Sequence, residues 1–214
     1  MATPFLSSSK FVVTIDEKAL LQEISTGRNG EITGREIRNY VLPIVEGAKE
    51  DLIEQFYSHP VTREIKSGPN AQNSSGTLGG YGNLFSFIGF ESGDNPIAGI
   101  EKILNKKLTV KVRSVKNGGF RITMFNLPDI EDILAVTPIP WASGASWVDG
   151  VEKGISNLGS FLYREKGVRG SSKGSRSRSG TGIQVENTLR QASFNTTPYL
   201  SQIMNKFLKK VVKF

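Results

Sequence analysis

The sequence of 214 residues contains no cysteine and only one histidine, His59. The absence of cysteine excludes disulfides, thiol nucleophiles, iron–sulfur clusters and thiolate zinc sites. A single histidine is too few for the usual catalytic zinc site, and no serine lies in a G-x-S-x-G motif. We therefore expect His59, which precedes Pro60, to cap carbonyl groups at a helix end or to lie at the surface.

Long apolar runs are also missing, since none approaches the about 20 residues that cross a bilayer. The first ten residues, MATPFLSSSK, lack the basic region and the apolar region of a secretory signal. We therefore expect no membrane partner and a chain that works in the compartment where it is made.

Charge is biased to one sign, with a formal net charge of +7 and an isoelectric point near 9.6. A basic balance favours polyanionic partners, namely nucleic acid, anionic lipid or an acidic protein surface. It does not choose among these three.

A long helix is the element that the sequence predicts most clearly. Thr33 and Glu36 have capping-box spacing, so that each side chain can satisfy a backbone amide of the other residue. Pro43 should bend the helix, which we expect to end near Ser58, before Pro60. The apolar stripe that predicts the helix comprises Ile37, Tyr40, Val41, Ile44, Val45, Ala48, Leu52 and Phe56.

Alternation of apolar and polar residues predicts antiparallel strands. Residues 11–15 (FVVTI) read as a first strand, and the segments 108–115 and 120–125 read as a hairpin around Asn117-Gly118-Gly119. Its buried face would carry Leu108, Val110, Val112, Phe120, Ile122 and Met124. The basic residues Lys111, Arg113 and Arg121 would then lie on the opposite, wetter face.

The other elements are shorter. LFSFIGF (84–90) reads as a strand, Asp94-Asn95-Pro96 opens a helix with Pro96 at its first position, and IEDILAV (130–136) reads as a short helix. Apolar spacing from Val148 to Leu162 predicts a glycine-interrupted helix, and Thr197 should cap a C-terminal helix. Together these patterns predict one α+β domain over residues 1–214: an antiparallel sheet with a long packed helix, extended loops and a C-terminal helix.

Residues 66–82 and 164–182 lack periodicity, and we expect both to be flexible loops. The first contains GTLGGYG, but Phe85 stands where a dinucleotide-binding motif needs its third glycine, and the loop precedes a predicted strand. A phosphate cradle is therefore disfavoured against a simple entry into a strand. A third interpretation is that the loop contacts a neighbouring subunit through Leu78 and Tyr81, two apolar side chains in an otherwise polar segment.

The second loop is strongly cationic, and its six basic residues are candidate contacts to DNA or to another subunit. They are Arg164, Lys166, Arg169, Lys173, Arg176 and Arg178. If all six met phosphates, the salt slope for binding duplex DNA would be about −5. No aromatic residue lies between Gly167 and Gly182, so a contact with nucleic acid would be electrostatic and independent of sequence. The alternative is a solvated loop that keeps the protein soluble.

Paired carboxylates are the remaining way to build an active site, since they hydrolyse polymers without histidine or cysteine. Two groups are close in sequence, Asp129, Glu131 and Asp132 in the first, and Asp149 and Glu152 in the second. Both lie at predicted helix starts, where acids favour the helix dipole. We therefore predict no catalytic residue, no metal and no cofactor, and keep a carboxylate hydrolase as an alternative.

Four segments resemble structural proteins of tailed-bacteriophage virions, in particular the neck and tail-completion proteins that join head to tail. They are HPVTREIKSGPNAQNSSGTLGGYGNLFSFIGF (59–90), NPIAGI (95–100), PWASGASWVDGVEKGISNLGSFLY (140–163) and SRSGTGIQ (177–184). The likeness spans most of residues 36–210 and rests on overall pattern.

This resemblance implies a small non-enzymatic α+β subunit that forms a ring with copies of itself around a DNA channel. It also implies contacts with other neck or tail proteins, electrostatic contact with packaged DNA, assembly in the host cytoplasm and a final place at the head–tail junction of the virion. Terminator, adaptor and completion roles all fit. The alternative function is a basic, sequence-independent nucleic-acid-binding protein.

Overall fold

The computed structural model describes residues 5–7, 10–15, 33–79, 83–114, 120–140, 142–154, 161–163, 182–184 and 194–212. These residues form seven α-helices and three antiparallel sheets, which confirms the predicted α+β class. The chain groups into two compact units. Unit 1 comprises Met1–Glu54, Ile103–Asp129 and Ile203–Phe214, and unit 2 comprises Gln55–Lys102 and Ile130–Gln202. The single domain over residues 1–214 stays a prediction.

A four-stranded antiparallel sheet organises unit 1. Its strands are β1 (Phe5–Ser7), β2 (Lys10–Ile15), β3 (Thr109–Ser114) and β4 (Phe120–Phe125), in the order β1-β2-β4-β3. The predicted first strand and the predicted hairpin strands are therefore confirmed, while the turn at 117–119 lies outside the described residues. Leu108, Val110, Phe120, Ile122 and Met124 are buried as predicted, and Val112 is partly exposed.

The long helix α1 (Gly34–Ser58) has the predicted bounds and contains Pro43. The capping box is formed: the Thr33 amide donates to Glu36 Oε2 at 2.8 Å, and the Glu36 amide donates to Thr33 Oγ1 at 3.3 Å. The buried stripe consists of Ile37, Val41, Val45, Ala48, Leu52 and Phe56. In unit 1 the start of α1 packs on the sheet, since a Cβ added to Gly34 would lie 3.6 Å from Val112 Cγ1.

Unit 2 is built mainly from short helices. They are α2 (Pro60–Lys66), a 3₁₀ turn (Gly68–Asn70), α3 (Leu84–Ile88), α4 (Ala98–Leu104), α5 (Ile130–Ala135) and α6 (Trp147–Lys153), with α4 ending in unit 1. Two small antiparallel pairs accompany them: β5 (Pro138–Ile139) with β6 (Ala142–Ser146), and β7 (Phe161–Tyr163) with β8 (Gly182–Gln184). The helices predicted from Pro96 and at 130–136 are confirmed, although α4 begins at Ala98 rather than at Pro96.

The predicted strand at 84–90 is wrong, because Leu84–Ile88 form α3. Two flanking residues close this single turn of helix. Asn83 Oδ1 accepts from the Ser86 amide at 2.9 Å, and Gly89 ends the helix in the left-handed region at φ 92°. Local capping thus overrides the strand preference of the aromatic residues between them.

The predicted helix from Val148 to Leu162 is also wrong in its extent. Helix α6 ends at Lys153, where Gly154 takes φ 81°, and Leu162 lies in strand β7. Residues 155–160 lie outside the described residues. The apolar spacing of a helix therefore continues in the sequence beyond Gly154, the residue at which the helix itself ends.

The C-terminal helix α7 (Leu200–Val212) begins three residues beyond the predicted cap at Thr197. Its apolar side is buried at Leu200, Ile203, Met204, Phe207 and Val211. The lysines Lys206, Lys209 and Lys210 are exposed, and in unit 1 Lys210 pairs with Asp51. Among the described helices, none is both long enough and apolar enough to cross a bilayer.

Candidate functional site

A buried carboxylate lies beneath the glycine-rich loop of unit 2. Glu64 is only 1% exposed. Its Oε2 accepts a hydrogen bond from the Ser75 amide at 2.8 Å, and its Oε1 accepts one from the Leu84 amide at 2.6 Å. These charge-assisted bonds compensate the burial of the charge. One side chain therefore joins both ends of the segment 75–84, which we call the Glu64-anchored loop.

The position of Glu64 follows from how α2 is built. His59 is the N-cap of this helix, where its Nδ1 accepts from the Val61 amide at 3.3 Å, and Pro60 follows at the first helical position. Val61, Thr62 and Ile65 are buried, so Glu64 belongs to the inward side. Sequence reasoning had placed His59 at a helix end but had missed its role at the start of the next helix.

The path of the loop is fixed by polar side chains. Asn73 Oδ1 accepts from the Gly76 amide at 3.1 Å, and the Ser75 and Thr77 hydroxyls are 2.8 Å apart. Gly76 and Gly79 adopt φ 70° and 59°, a region that favours glycine. Of the predicted flexible loop 66–82, residues 67–79 thus have a hydrogen-bonded path, while residues 80–82 lie outside the described residues.

A second segment, 194–199, holds the same loop from another side. The Asn195 amide donates to the Thr77 carbonyl at 2.9 Å, and Asn195 Nδ2 donates to the Gly76 carbonyl at 3.3 Å. The Thr197 amide donates to the Val151 carbonyl at 3.1 Å. These contacts connect the loop to α6 through residues more than a hundred positions away in sequence, as the separation of 119 between Asn195 and Gly76 shows.

An aromatic cluster containing one polar pair lies in the core of unit 2. The hydroxyl of the fully buried Tyr199 is 2.7 Å from Thr62 Oγ1. The His59 ring is 4.8 Å from the Tyr199 ring, and the Trp147 ring is 6.1 Å from it. Burial raises the pKa of Tyr199 far above its usual value; the charge of Glu152 adds to this shift, and the hydrogen bond with Thr62 opposes it. The phenol therefore remains a neutral structural group.

A smaller polar group lies at the surface of unit 2. The Tyr57 hydroxyl donates to Glu101 Oε1 at 2.9 Å, and Lys66 Nζ is 4.0 Å from the same oxygen. Burial, followed by the hydrogen bond and the negative charge of Glu101, raises the pKa of Tyr57. Lys66 Nζ also lies 4.7 Å from the centroid of the Tyr57 ring.

The acids considered as a catalytic pair have structural partners instead. Glu152 Oε1 accepts from the Tyr199 amide at 3.2 Å and from the Ser201 amide at 2.7 Å, so that it caps the start of α7. Asp149 pairs with Lys153 at 2.6 Å, one helical turn away. Glu131 and Asp132 lie in the first turn of α5. Among the described residues, no three His, Asp or Glu side chains group as a metal site.

The predicted contact residues have different outcomes. Leu78 is 7% exposed, so its side chain is already buried within the single chain. Tyr81 lies outside the described residues, as do Arg164, Lys166, Arg169, Lys173, Arg176 and Arg178. The roles of all eight residues therefore stay predictions.

Of the two residues that organise the loop, Glu64 and Asn195, only Glu64 carries a signal in the sequence, and that signal is weak. An acid among Val61, Thr62 and Ile65 is unusual on a buried face and could have singled out Glu64. No comparable pattern marks Asn195.

Comparisons of the chain with protein families, with characterised proteins and with solved structures find no match.

Proposed function

We propose that this protein is a structural virion assembly protein, a ring-forming neck or tail-completion/terminator subunit that joins the head and tail of a tailed phage. The resemblance of segments 59–90, 95–100, 140–163 and 177–184 to such proteins supports this function. The α+β fold with a long helix and an antiparallel sheet agrees with what that resemblance implies. The proposed location is the head–tail junction.

The observation that carries the proposal is the polar surface of the Glu64-anchored loop and the residues that lead into it. Gln72, Ser74, Gly76 and Gly79 are exposed, while hydrogen bonds of the loop backbone with Glu64 and Asn195 hold the loop in place. A surface that is ordered before contact loses less conformational entropy when another protein binds it. This arrangement suits a subunit interface, and it is the part of the chain that we propose meets the neighbouring copy.

The partners of the carboxylates Asp149 and Glu152 also support a structural role. Glu152 accepts hydrogen bonds from the amides of Tyr199 and Ser201, and Asp149 forms an ion pair with Lys153. A glycosidase pair would need two carboxyl groups about 5–9 Å apart on either side of a scissile bond. The described acids have roles in capping and pairing, as a structural subunit requires.

Mass measurement and negative-stain imaging of the purified protein test the proposal, both alone and with isolated tail tubes. We expect a closed ring of copies, either free or at the end of a tube. A protein that stays monomeric at all concentrations and decorates neither a tube nor a capsid vertex would contradict the proposal.

A second candidate, the sequence-independent nucleic-acid binder, is favoured by the net charge of +7 and by the six basic residues of 164–178. Titration with duplex DNA at two salt concentrations tests it. Replacing Arg176 and Arg178 by glutamine should make the salt slope shallower by about 2 if both meet phosphate. Absence of binding by the unaltered protein at low salt would end this candidate.

A further inference from the structure

Three exposed cations of the strands β3 and β4 lie on the outer face of the unit 1 sheet. Lys111 and Arg113 on β3 and Arg121 on β4 are all exposed, whereas Val110, Ile122 and Met124 point to the buried side. The strand register pairs Arg113 directly with Arg121 and Lys111 with Thr123. We call the surface formed by Thr109, Lys111, Arg113, Arg121 and Thr123 the basic sheet face.

Two arginines directly opposite each other are an unfavourable choice for a sheet on its own, because like charges in cross-strand positions repel. Within the part of the chain that the structure describes, neither guanidinium forms an ion pair with a carboxylate. The pair therefore does not stabilise the described fold through charge. An anion bound over the sheet would remove the repulsion.

The side chains of this face indicate which anion fits. Guanidinium groups bind phosphate oxygens in pairs of parallel hydrogen bonds, and threonine hydroxyls commonly contact the sugar–phosphate backbone. The ring of Phe125 has Lys111 Nζ 5.2 Å from its centroid, so a cation rather than a base lies against it. This combination favours the backbone of a duplex over stacked single-stranded bases.

An anionic membrane fits less well. Peripheral membrane binding combines cations with large apolar side chains that enter the bilayer interface. Among the residues whose exposure the structure describes, the large exposed apolar side chains are Ile44 on α1 and Val136 after α5, and neither lies on β3 or β4.

We propose that the basic sheet face binds the phosphate backbone of double-stranded nucleic acid without sequence preference. This face contains none of the basic residues of 164–178, and the proposal does not depend on ring formation. If Lys111, Arg113 and Arg121 each meet a phosphate, they contribute about −3 to the salt slope of binding.

The test compares three forms of the full chain in binding to a mixed-sequence DNA duplex over a range of salt concentrations. They are the unaltered protein, R113Q/R121Q, and the matched control R35Q/R38Q, which removes the same charge from exposed positions on α1. We expect R113Q/R121Q to make the salt slope shallower by about 2 and R35Q/R38Q to leave the slope unchanged.

A thermal melt without DNA excludes unfolding as the cause. Since R113Q/R121Q removes a repulsion, its melting temperature should equal or exceed that of the unaltered protein. The proposal is overturned if all three slopes agree, if both double variants lower the slope equally, or if the unaltered protein does not bind duplex. It is also overturned if R113Q/R121Q loses binding to anionic vesicles or an acidic peptide and keeps its duplex binding. Mass measurement of R113Q/R121Q reports ring formation separately, so the two proposals can fail independently.

Discussion

A carboxylate removed from water needs hydrogen-bond donors, and Glu64 obtains them from the backbone of Ser75 and Leu84. These partners are 11 and 20 positions away along the chain. One residue thus sets the geometry of a segment that has little apolar surface of its own. Its removal should loosen the loop before it affects the rest of unit 2.

We predict that E64Q lowers the free energy of unfolding by about 2 kcal/mol, because a neutral amide accepts only one strong bond and directs an N–H toward a donor. Hydrogen exchange at the Ser75 and Leu84 amides should accelerate in parallel. The matched control is E50Q at an exposed position on α1, where we expect almost no change. Equal stability and equal exchange in both variants would show that Glu64 does not hold the loop.

The raised pKa of Tyr199 gives a second prediction, for high pH. The folded phenol keeps its proton above about pH 10, where the unfolded one loses it. Its contribution to stability is therefore complete below that pH and is lost as the pH rises. Y199F should be less stable at neutral pH, because Thr62 loses its partner, and its stability should fall less steeply above about pH 10.

Urea unfolding between neutral pH and pH 11 checks this, with Y57F as the control. Tyr57 is partly exposed and its pKa is raised to a smaller extent. Parallel stability curves for Y199F and the unaltered protein would contradict the assignment of Tyr199 as a buried neutral group.

Side-chain contacts between residues close in sequence could be predicted, and contacts between distant residues could not. The capping box of Thr33 and Glu36 was predicted, since its partners are three positions apart and the geometry follows from helix capping alone. The bonds of Glu64 and Asn195 were not, because they join segments that meet only after folding. Asn195 in particular carries no local pattern.

Among the elements, the helices predicted best are those with several turns. α1 extends over 25 residues, so its apolar stripe repeats often enough to identify it, and α7 repeats in the same way over 13. α3 has 5 residues, too few for a period, and its composition favoured a strand. Its capping residues, Asn83 and Gly89, were the usable signal. The overlong prediction for α6 has the complementary cause: Gly154 ended the helix while the apolar spacing continued.

The surroundings of two helical glycines, Gly99 in unit 2 and Gly47 in unit 1, predict opposite effects of substitution by alanine. A Cβ at Gly99 in α4 would lie 2.9 Å from both Cβ and the carbonyl oxygen of Val136, which follows α5. A Cβ at Gly47 in α1 would meet nothing within 4 Å. G99A should therefore destabilise the protein by about 1–3 kcal/mol through overpacking. G47A should stabilise it by about 0.5–1 kcal/mol, because alanine is the better helix former.

Chemical denaturation of the two variants side by side measures both effects, and each variant serves as the control for the other. Stabilisation by both substitutions would mean that α4 and the end of α5 are not in close contact in solution.

For the whole molecule, the predicted α+β class followed from summing many weak patterns, and it tolerated errors in α3 and α6. The proposed assembly depends on features that no such sum contains, namely which exposed polar surface faces a neighbour. The exposed approach to the Glu64-anchored loop provides a specific place to interfere with it. Gln72 is exposed there and no apolar packing depends on it.

We predict that Q72R prevents ring formation and leaves the melting temperature unchanged, because it places a bulky cation on the proposed interface without altering the core. Q202R adds the same charge at an exposed position on α7 and should assemble normally. Mass photometry and melting curves of both variants give the answer. Rings formed equally by both would exclude this surface from the subunit contact.

The double anchoring by Glu64 also bears on how the chain can change over evolutionary time. Because the segment is held at Ser75 and at Leu84, extra residues inserted after Gly79 would lengthen it between these two attachment points. The entropic penalty of a longer closed segment rises only with the logarithm of its length, by about 0.6 kcal/mol per doubling. Related sequences with insertions after Gly79, or a variant with an epitope tag at this position, should therefore keep the same fold.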